Sequence, residues 1–364
     1  MSGTTVRLIC DSCGRAAAPL DWRCPACGGP LHLEGLPPFD PATIRQHEWS
    51  LWRYADMLPA VRRFSLGEGL TPLVPASVNG VPFLAKLEYL LPTGSYKDRG
   101  VAVMLNYLLG LGVTAVVEDS SGNAGASVAA YAGGIGMTAR IFVPADAAER
   151  KKVQIACFGA ELVEVPGPRA AVTAACEAAA QQATYASHAW HPCFITGEMT
   201  VAWELWEQMG GRAPDAVICP VGQGGLLLGL MEGYRALLAA GVIAHLPCFF
   251  AVQSAACDPI VRAWEANADI PAPVDSGDTI ADGIKIARPV RGRAILAALR
   301  GSGGAALRVD DSAIYAARQA LAAHGLFVEP TSAVPVAALP AVQARLGPAA
   351  EIVVPLTGSG LKTS

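Results

Sequence analysis

The stretch that limits this chain most is the run from Val113 onward, where strand-like and helix-like segments alternate almost without interruption. Val113–Val117, Ala139–Val143, Glu161–Val165 and Thr184–Ser187 read as strands, with helices at Ala124–Tyr131, Ala147–Phe158 and Ala170–Gln182 between them. A helix at Glu198–Met209 leads into a second series. Its strands are Ala216–Cys219, Cys248–Val252, Leu307–Val309 and Ile352–Leu356, and its helices are Leu226–Leu238, Ser312–Ala323 and Ser332–Arg345. Such short connections imply right-handed crossovers, so the pattern predicts an α/β protein with two open, parallel or mixed sheets and a cleft between two lobes.

Length and composition agree with that reading. A chain of 364 residues has room for about two domains. Its 52% hydrophobic and 16% charged residues suit buried parallel strands rather than a disordered or coiled-coil chain. A net charge of −4 gives no field that would gather nucleic acid or an anionic membrane, so neither partner is expected. Met1–Arg7 is short and polar, unlike a signal peptide. The most apolar window, Ala216–Met231, is broken by glycines and Pro220 and is too short to span a bilayer. These features predict a soluble cytoplasmic protein.

Four of the ten cysteines are clustered, as Cys10-x-x-Cys13, ten residues, then Cys24-x-x-Cys27, with Gly14 and Gly28 directly after each pair. Two knuckles of this kind turn four thiolates onto one cation and leave no open position, which is the chemistry of structural zinc. A redox pair or a ribbon without metal would use the same residues. Only Arg15 and Arg23 are basic within the segment, which argues against nucleic acid. Pro37, Pro38 and Pro41 then read as a linker. The expected division is a zinc-ribbon-like segment over 1–35, a large domain over 36–107 and 197–364, and a small mobile α/β domain over 108–196.

Ahead of the alternating run stands Pro92-Thr93-Gly94-Ser95-Tyr96-Lys97-Asp98-Arg99-Gly100. Gly94-Ser95 reads as turn and cap, and Val101, Met104, Leu105 and Leu108 recur at helical spacing, which puts Lys97 just inside a helix start. The positive end of a helix disfavours an ammonium and helps an amine act as a nucleophile, although a solvated lysine would look the same. Three further segments follow strand ends, where open α/β sheets bind ligands. Asp119-Ser120-Ser121-Gly122-Asn123-Ala124-Gly125 offers hydroxyls, an amide and backbone donors suited to a carboxylate or phenolate oxygen. Gly222-Gln223-Gly224-Gly225-Leu226 can converge backbone N–H groups on a phosphate but lacks the ending of a P-loop. Thr357-Gly358-Ser359-Gly360-Leu361-Lys362 closes the last strand. An amine, a phosphate cradle and two polar pockets together fit pyridoxal phosphate, whose aldehyde, phosphate, phenolic oxygen and ring nitrogen each gain a partner.

These segments resemble, in order, those of the fold-type-II pyridoxal-phosphate enzymes, in the threonine-synthase-like branch. Gly67–Leu73, Glu329–Ala333 and the cysteine ribbon extend the likeness over nearly the whole chain. The resemblance implies that Lys97 joins the cofactor's aldehyde and, once released by substrate, shuttles protons. It implies that Asn123 meets the phenolic oxygen, that the amides of Gly222, Gln223, Gly224, Gly225 and Leu226 hold the phosphate, and that Thr357 meets the pyridine nitrogen. A neutral hydroxyl there cannot stabilise a charged ring nitrogen as a carboxylate would, which suits elimination and replacement over transamination. Thr93, Ser120, Ser121 and Ala124 would contact the amino-acid substrate.

Three departures keep the substrate open. Threonine synthases usually carry an asparagine in the phosphate loop and a histidine in the carboxy-terminal turn, where this chain has Gln223–Leu226 and Ser359. Ala124-Gly125 also replaces hydroxyl residues that help receive the substrate's phosphate. The expectation is threonine synthase, with a serine or threonine ammonia-lyase or a β-replacement synthase as the alternative. A non-catalytic binding module is a third reading, disfavoured by Lys97, Asn123 and Thr357 standing together. Homodimers are common in the resembling family.

Overall fold

The computed structural model describes residues 6–147 and 149–363. Residues 1–5, on which the polar start was read, and Ala148, inside the helix expected over 147–158, lie outside the described residues. In chain order the strands are β1 (Arg7–Cys10), β2 (Ala16–Ala17), β3 (Leu31–Glu34), β4 (Leu73–Val78), β5 (Val81–Lys86), β6 (Ala115–Glu118), β7 (Thr138–Pro144), β8 (Glu161–Val165), β9 (Thr184–Tyr185), β10 (Ala216–Pro220), β11 (Cys248–Ser254), β12 (Ala305–Val309) and β13 (Ile352–Pro355). The α-helices are α1 (Lys97–Gly110), α2 (Asn123–Ile135), α3 (Glu149–Cys157), α4 (Arg169–Ala179), α5 (Pro192–Gln208), α6 (Gly225–Ala239), α7 (Pro259–Glu265), α8 (Gly292–Gly301), α9 (Asp311–Ala323), α10 (Pro330–Ala337) and α11 (Leu339–Leu346).

The chain divides into two compact units. One carries the chain up to Leu70 together with Lys97–Thr200, the other Thr71–Tyr96 and the chain from Val201 onward. In the first, the order β8-β7-β6-β9 makes a four-stranded sheet in which every pairing is parallel. Val117, Phe142, Val172, Cys176 and Tyr185 pack between this sheet and α4. The same unit holds the antiparallel ribbon β2-β1-β3 around Leu8, Cys10, Cys24 and Leu31. Trp22 of the ribbon meets the rings of Tyr185 and Trp190 edge to face, with centroids 5.0 and 5.2 Å apart.

In the second unit the order β12-β11-β10-β13-β5-β4 makes a six-stranded sheet, parallel except at its β4–β5 edge. Ile218, Phe250, Val252, Val334, Leu339 and Val354, all at or below 1% exposure, belong to its core. Burying a side chain of that size stabilises the fold by about 1.5–3 kcal/mol, which is why these strands read as unbroken apolar runs. The parallel and mixed sheets are the architecture the alternation predicts, and the amino-terminal cysteine ribbon is the one the two Cys-x-x-Cys pairs predict.

Local differences have local causes. The single helix expected over Ser332–Arg345 is two, α10 and α11, separated at Ala338, with Pro335 inside the first and Pro340 at the start of the second. The expected strand Thr184–Ser187 ends at Tyr185. Helix α5 begins at Pro192, six residues ahead of the expected Glu198, because a proline is at home in a first helical turn.

Candidate active site

Helix α1 starts at Lys97, and its first turn is fastened in several directions within the first unit. Asp98 is fully buried and accepts a 2.6 Å hydrogen bond from the Ser127 hydroxyl of α2. Arg99, also fully buried, donates to Thr200 Oγ1 at 3.3 Å. Gly100 lies flat against Phe194, since an added Cβ would stand 2.4 Å from that ring. The same ring lies under the Lys97 ammonium, with Nζ 5.2 Å from its centroid.

The Asp98–Ser127 bond also fixes the start of α2, which begins at Asn123 directly after Ser120-Ser121-Gly122. No side chain caps α2 at Gly122, and a helix N-terminus favours an anion. Asp119 anchors the base of this loop by accepting from Arg169 at 2.8 Å, the Thr173 hydroxyl at 2.7 Å and the Tyr185 hydroxyl at 2.7 Å. Ser120 and Ser121 are half-buried, and Ala124 is buried. At Gly125 a Cβ would come within 1.9 Å of the Ser120 carbonyl oxygen, so only glycine lets the loop fold back on its helix. Gly125→Ala is accordingly expected to lower Tm by several degrees and to displace the Ser120–Asn123 segment, readable as faster amide exchange there.

Within the second unit, the residues ahead of Lys97 are fixed to the turn after β13. The Tyr96 N–H donates to the Thr357 carbonyl at 3.0 Å, the Ser359 N–H to that of Gly94 at 2.9 Å, and Lys362 Nζ to that of Thr93 at 2.9 Å. Thr357 Oγ1 lies 2.9 Å from Ser332 Oγ, which in turn accepts the Gly358 N–H at 2.8 Å. Ser332 comes from Glu329–Ala333, so two of the matched segments meet here. Ser95 Oγ in the same segment is buried without a hydrogen-bond partner.

Between β10 and α6 the glycine loop takes the shape the sequence asks for. Gly224 has φ of 82° and caps α6 with no side-chain hydrogen bond. A Cβ there would stand 2.4 Å from Ile295 Cδ1, and one at Gly222 would stand 3.1 Å from Ile284 Cα. Gln223 turns its side chain away, accepting the Val290 N–H at 3.0 Å. What remains is a cradle of backbone amides at a helix N-terminus, fitted to an anion.

In the ribbon the sulfurs of Cys10, Cys13, Cys24 and Cys27 all lie within 4.8 Å of one another, and among the described residues they form the cluster able to hold a metal. The Gly14 and Gly28 amides close onto the carbonyls of Cys10 and Cys24 at 3.0 and 2.8 Å. Among these interacting thiols, backbone N–H donation from Cys27 lowers Cys24, while the neighbouring sulfurs raise Cys27.

One neighbour of Lys97 was not among the expected site residues. Glu118, fully buried at the end of β6, lies 2.6 Å through Oε1 from His188 Nδ1, and His188 faces Phe194 edge-on at 6.0 Å. Its signal in the sequence is a carboxylate ending an otherwise apolar strand, Ala115-Val116-Val117-Glu118.

Residues 64–358 match the family described as pyridoxal-phosphate dependent enzyme. The chain is 32% identical to a threonine synthase of Methanocaldococcus jannaschii, over 97% of this chain and 92% of that one. It is 34% identical to a threonine synthase of Methanosarcina acetivorans, over 80% of this chain and 74% of that one. Among solved structures it resembles a threonine deaminase of T.th. at 29% identity, with a TM-score of 0.67 over 79% of this chain and 92% of that one.

Proposed function

This chain belongs to the pyridoxal-phosphate dependent enzyme family, and from that premise we propose that it removes a β or γ substituent from an amino acid. The reaction placed first is conversion of O-phosphohomoserine to threonine and phosphate, supported by threonine synthases at 34% and 32% identity. The second is the ammonia-lyase reaction on serine or threonine, or a β-replacement. It is favoured by the likeness to a threonine deaminase and by Ala124-Gly125 standing where hydroxyls would help receive a phosphate.

The observation that carries the reading is the Gly222–Leu226 cradle, whose left-handed glycine, uncapped helix start and crowding of a Cβ at Gly222 and Gly224 fit a phosphate monoester. When bound, pyridoxal phosphate supplies an aldehyde for an amine and a ring that draws electrons from the substrate's Cα. Lys97 Nζ would hold the aldehyde end and, once displaced by the substrate's amine, move the proton at Cα. Asn123 would donate to the phenolic oxygen, and the amides of Gly222, Gln223, Gly224, Gly225 and Leu226 would hold the phosphate. Thr357, oriented by Ser332, would meet the ring nitrogen without charging it. Ser120, Ser121, the amide of Ala124 and Thr93 would bind the substrate's carboxylate end.

Zinc in the four-cysteine ribbon belongs to the same proposal, supported by sulfurs gathered within 4.8 Å. Protein purified with zinc in the medium is expected to hold about one metal ion per chain. Chelation should lower Tm, and Cys24→Ser should abolish retention of the metal. A cytoplasmic homodimer completes the proposal, and it rests on the family likeness.

The deciding experiment incubates purified protein with O-phosphohomoserine, serine and threonine separately. Phosphate release with threonine formed supports the first reading, and a 2-oxo acid with ammonia from serine or threonine supports the second. No turnover of any of the three contradicts both.

A further inference from the structure

Glu118 and His188 form a buried pair to which the reactions above give no role. Glu118 is fully buried, and its Oε2 lacks a hydrogen-bond partner. The His188 side chain keeps 15% exposure, so the pair reaches outward only through the imidazole. His188 and Lys97 share Phe194, whose ring centroid lies 6.0 Å from the imidazole and 5.2 Å from Nζ.

Burial, and then the charge of Asp119, pushes the Glu118 carboxyl well above its usual range. Burial, then the cations Lys97 and Arg169, pushes His188 well below its own. Lys97 on α1, Asp119 after β6 and Arg169 on α4 are the charged groups that face the pair. The Cys176 thiol of α4, also near Glu118, is pushed up by burial and stays neutral. Both shifts favour the uncharged forms, in which the Glu118 O–H donates to Nδ1 and a second proton sits on Nε2. Two protons in line can be passed along without ever making a buried cation.

We propose that His188, backed by Glu118, handles the proton on the oxygen that leaves or joins Cβ of the substrate. This rests on the elimination or replacement chemistry proposed above and adds a second proton carrier to Lys97. When a hydroxyl leaves, the Cβ–O bond breaks with its electron pair on oxygen, the Nε2 proton goes to that oxygen to give water, and the Glu118 proton moves to Nδ1. Glu118 is left a carboxylate beside a neutral imidazole. On the phosphate substrate the pair first passes its Nε2 proton to the departing phosphate while the Glu118 proton moves to Nδ1. When water then adds, its oxygen pair forms the bond to Cβ, its proton goes to Nε2, and the Nδ1 proton returns to Glu118. Glu118 acts through His188 and is a positioning residue.

The test compares cofactor-loaded wild type with His188→Gln and Glu118→Gln, first confirming by borohydride reduction that Lys97 still gains the cofactor's mass. With serine, ammonia release is expected to fall about 10²-fold in His188→Gln, while β-chloroalanine, whose chloride leaves without a proton, stays within about threefold of wild type. With O-phosphohomoserine, phosphate, which leaves readily even without a proton, should be released within about threefold of wild type, while threonine formed per phosphate falls at least about tenfold and 2-oxobutanoate makes up the difference. Glu118→Gln should give the same pattern more weakly. Equal losses on every substrate, or none, overturn the relay. Independently, ¹⁵N spectra of histidine-labelled protein should show His188 neutral with its proton on Nε2 from about pH 6 to 8, and an ordinary titration there overturns it too. A wild type that neither labels at Lys97 nor turns over substrate removes the enzyme reading itself. An adduct at Lys97 with uniform losses removes the relay alone.

Discussion

Lys97→Ala is expected to lower kcat by about 10³- to 10⁴-fold on whichever amino acid the wild type accepts, with Tm unchanged within a few degrees. The direction follows from the local structure. Lys97 opens α1 and is only half-buried, so its side chain contributes little packing. The turn it sits on is fixed by neighbours the substitution leaves alone: Asp98 to Ser127, Arg99 to Thr200, and Gly100 against Phe194. Truncation therefore removes an amine and leaves its setting. In the proposed arrangement cofactor would still be held through its phosphate by the Gly222–Leu226 amides, so the variant should bind it weakly and release it on gel filtration, whereas wild type keeps it. Steady-state kinetics with a circular-dichroism melt check both halves, and near-wild-type kcat would remove Lys97 from the chemistry.

Lys86→Met is expected to cost about 3–5 kcal/mol of stability, the usual result of leaving one member of a buried ion pair without the other. Lys86, the last residue of β5, pairs with Glu204, and both side chains are fully buried. Its Nζ also donates to the Thr71 carbonyl at 2.6 Å and to Gln208 Oε1 at 2.9 Å, while the Thr71 hydroxyl donates to Glu88 at 2.7 Å. The substituted chain keeps the volume and loses the cation, so two carboxylates are left in a low-dielectric interior. Joining Glu204→Leu to Lys86→Met should recover part of the loss, because a well-packed apolar pair avoids the desolvation that ionic partners must offset. Denaturant titrations of the two singles and the double give the coupling, and additive losses would show that the pair is not coupled.

What could be read in advance, and what could not, follows the range of the interactions. The start of α1 at Lys97 was legible because cap, turn and helical spacing all sit within a dozen residues, and β7, β10 and β11 were legible as apolar runs between turns, with β8 a shorter run of β-branched and charged residues. The β4 strand was not read, although Asn79-Gly80 is a hairpin signal and both residues take positive φ, 52° and 78°. Its alternation is blurred by Pro75 and Ala76 at an exposed edge. Helices α7 and α8 were missed because each is short, and prolines and charges flank them. The site divides in the same way. The glycine loop and the cysteine knuckles are local patterns with a mechanism. Glu118 and His188 are 70 positions apart, and only the parallel pairing of β6 with β9 brings the chain after one to the end of the other.

The central claim is that one amine holds an aldehyde cofactor whose anionic tail rests on the Gly222–Leu226 amides. Reducing the cofactor-treated protein with borohydride, digesting it and mapping the added mass tests that claim most directly. The account predicts loss of the yellow colour with the cofactor's mass on the peptide that contains Lys97, and no such labelling in Lys97→Ala. A protein that stays colourless in the presence of pyridoxal phosphate, or that carries the mass on a different lysine, would contradict it.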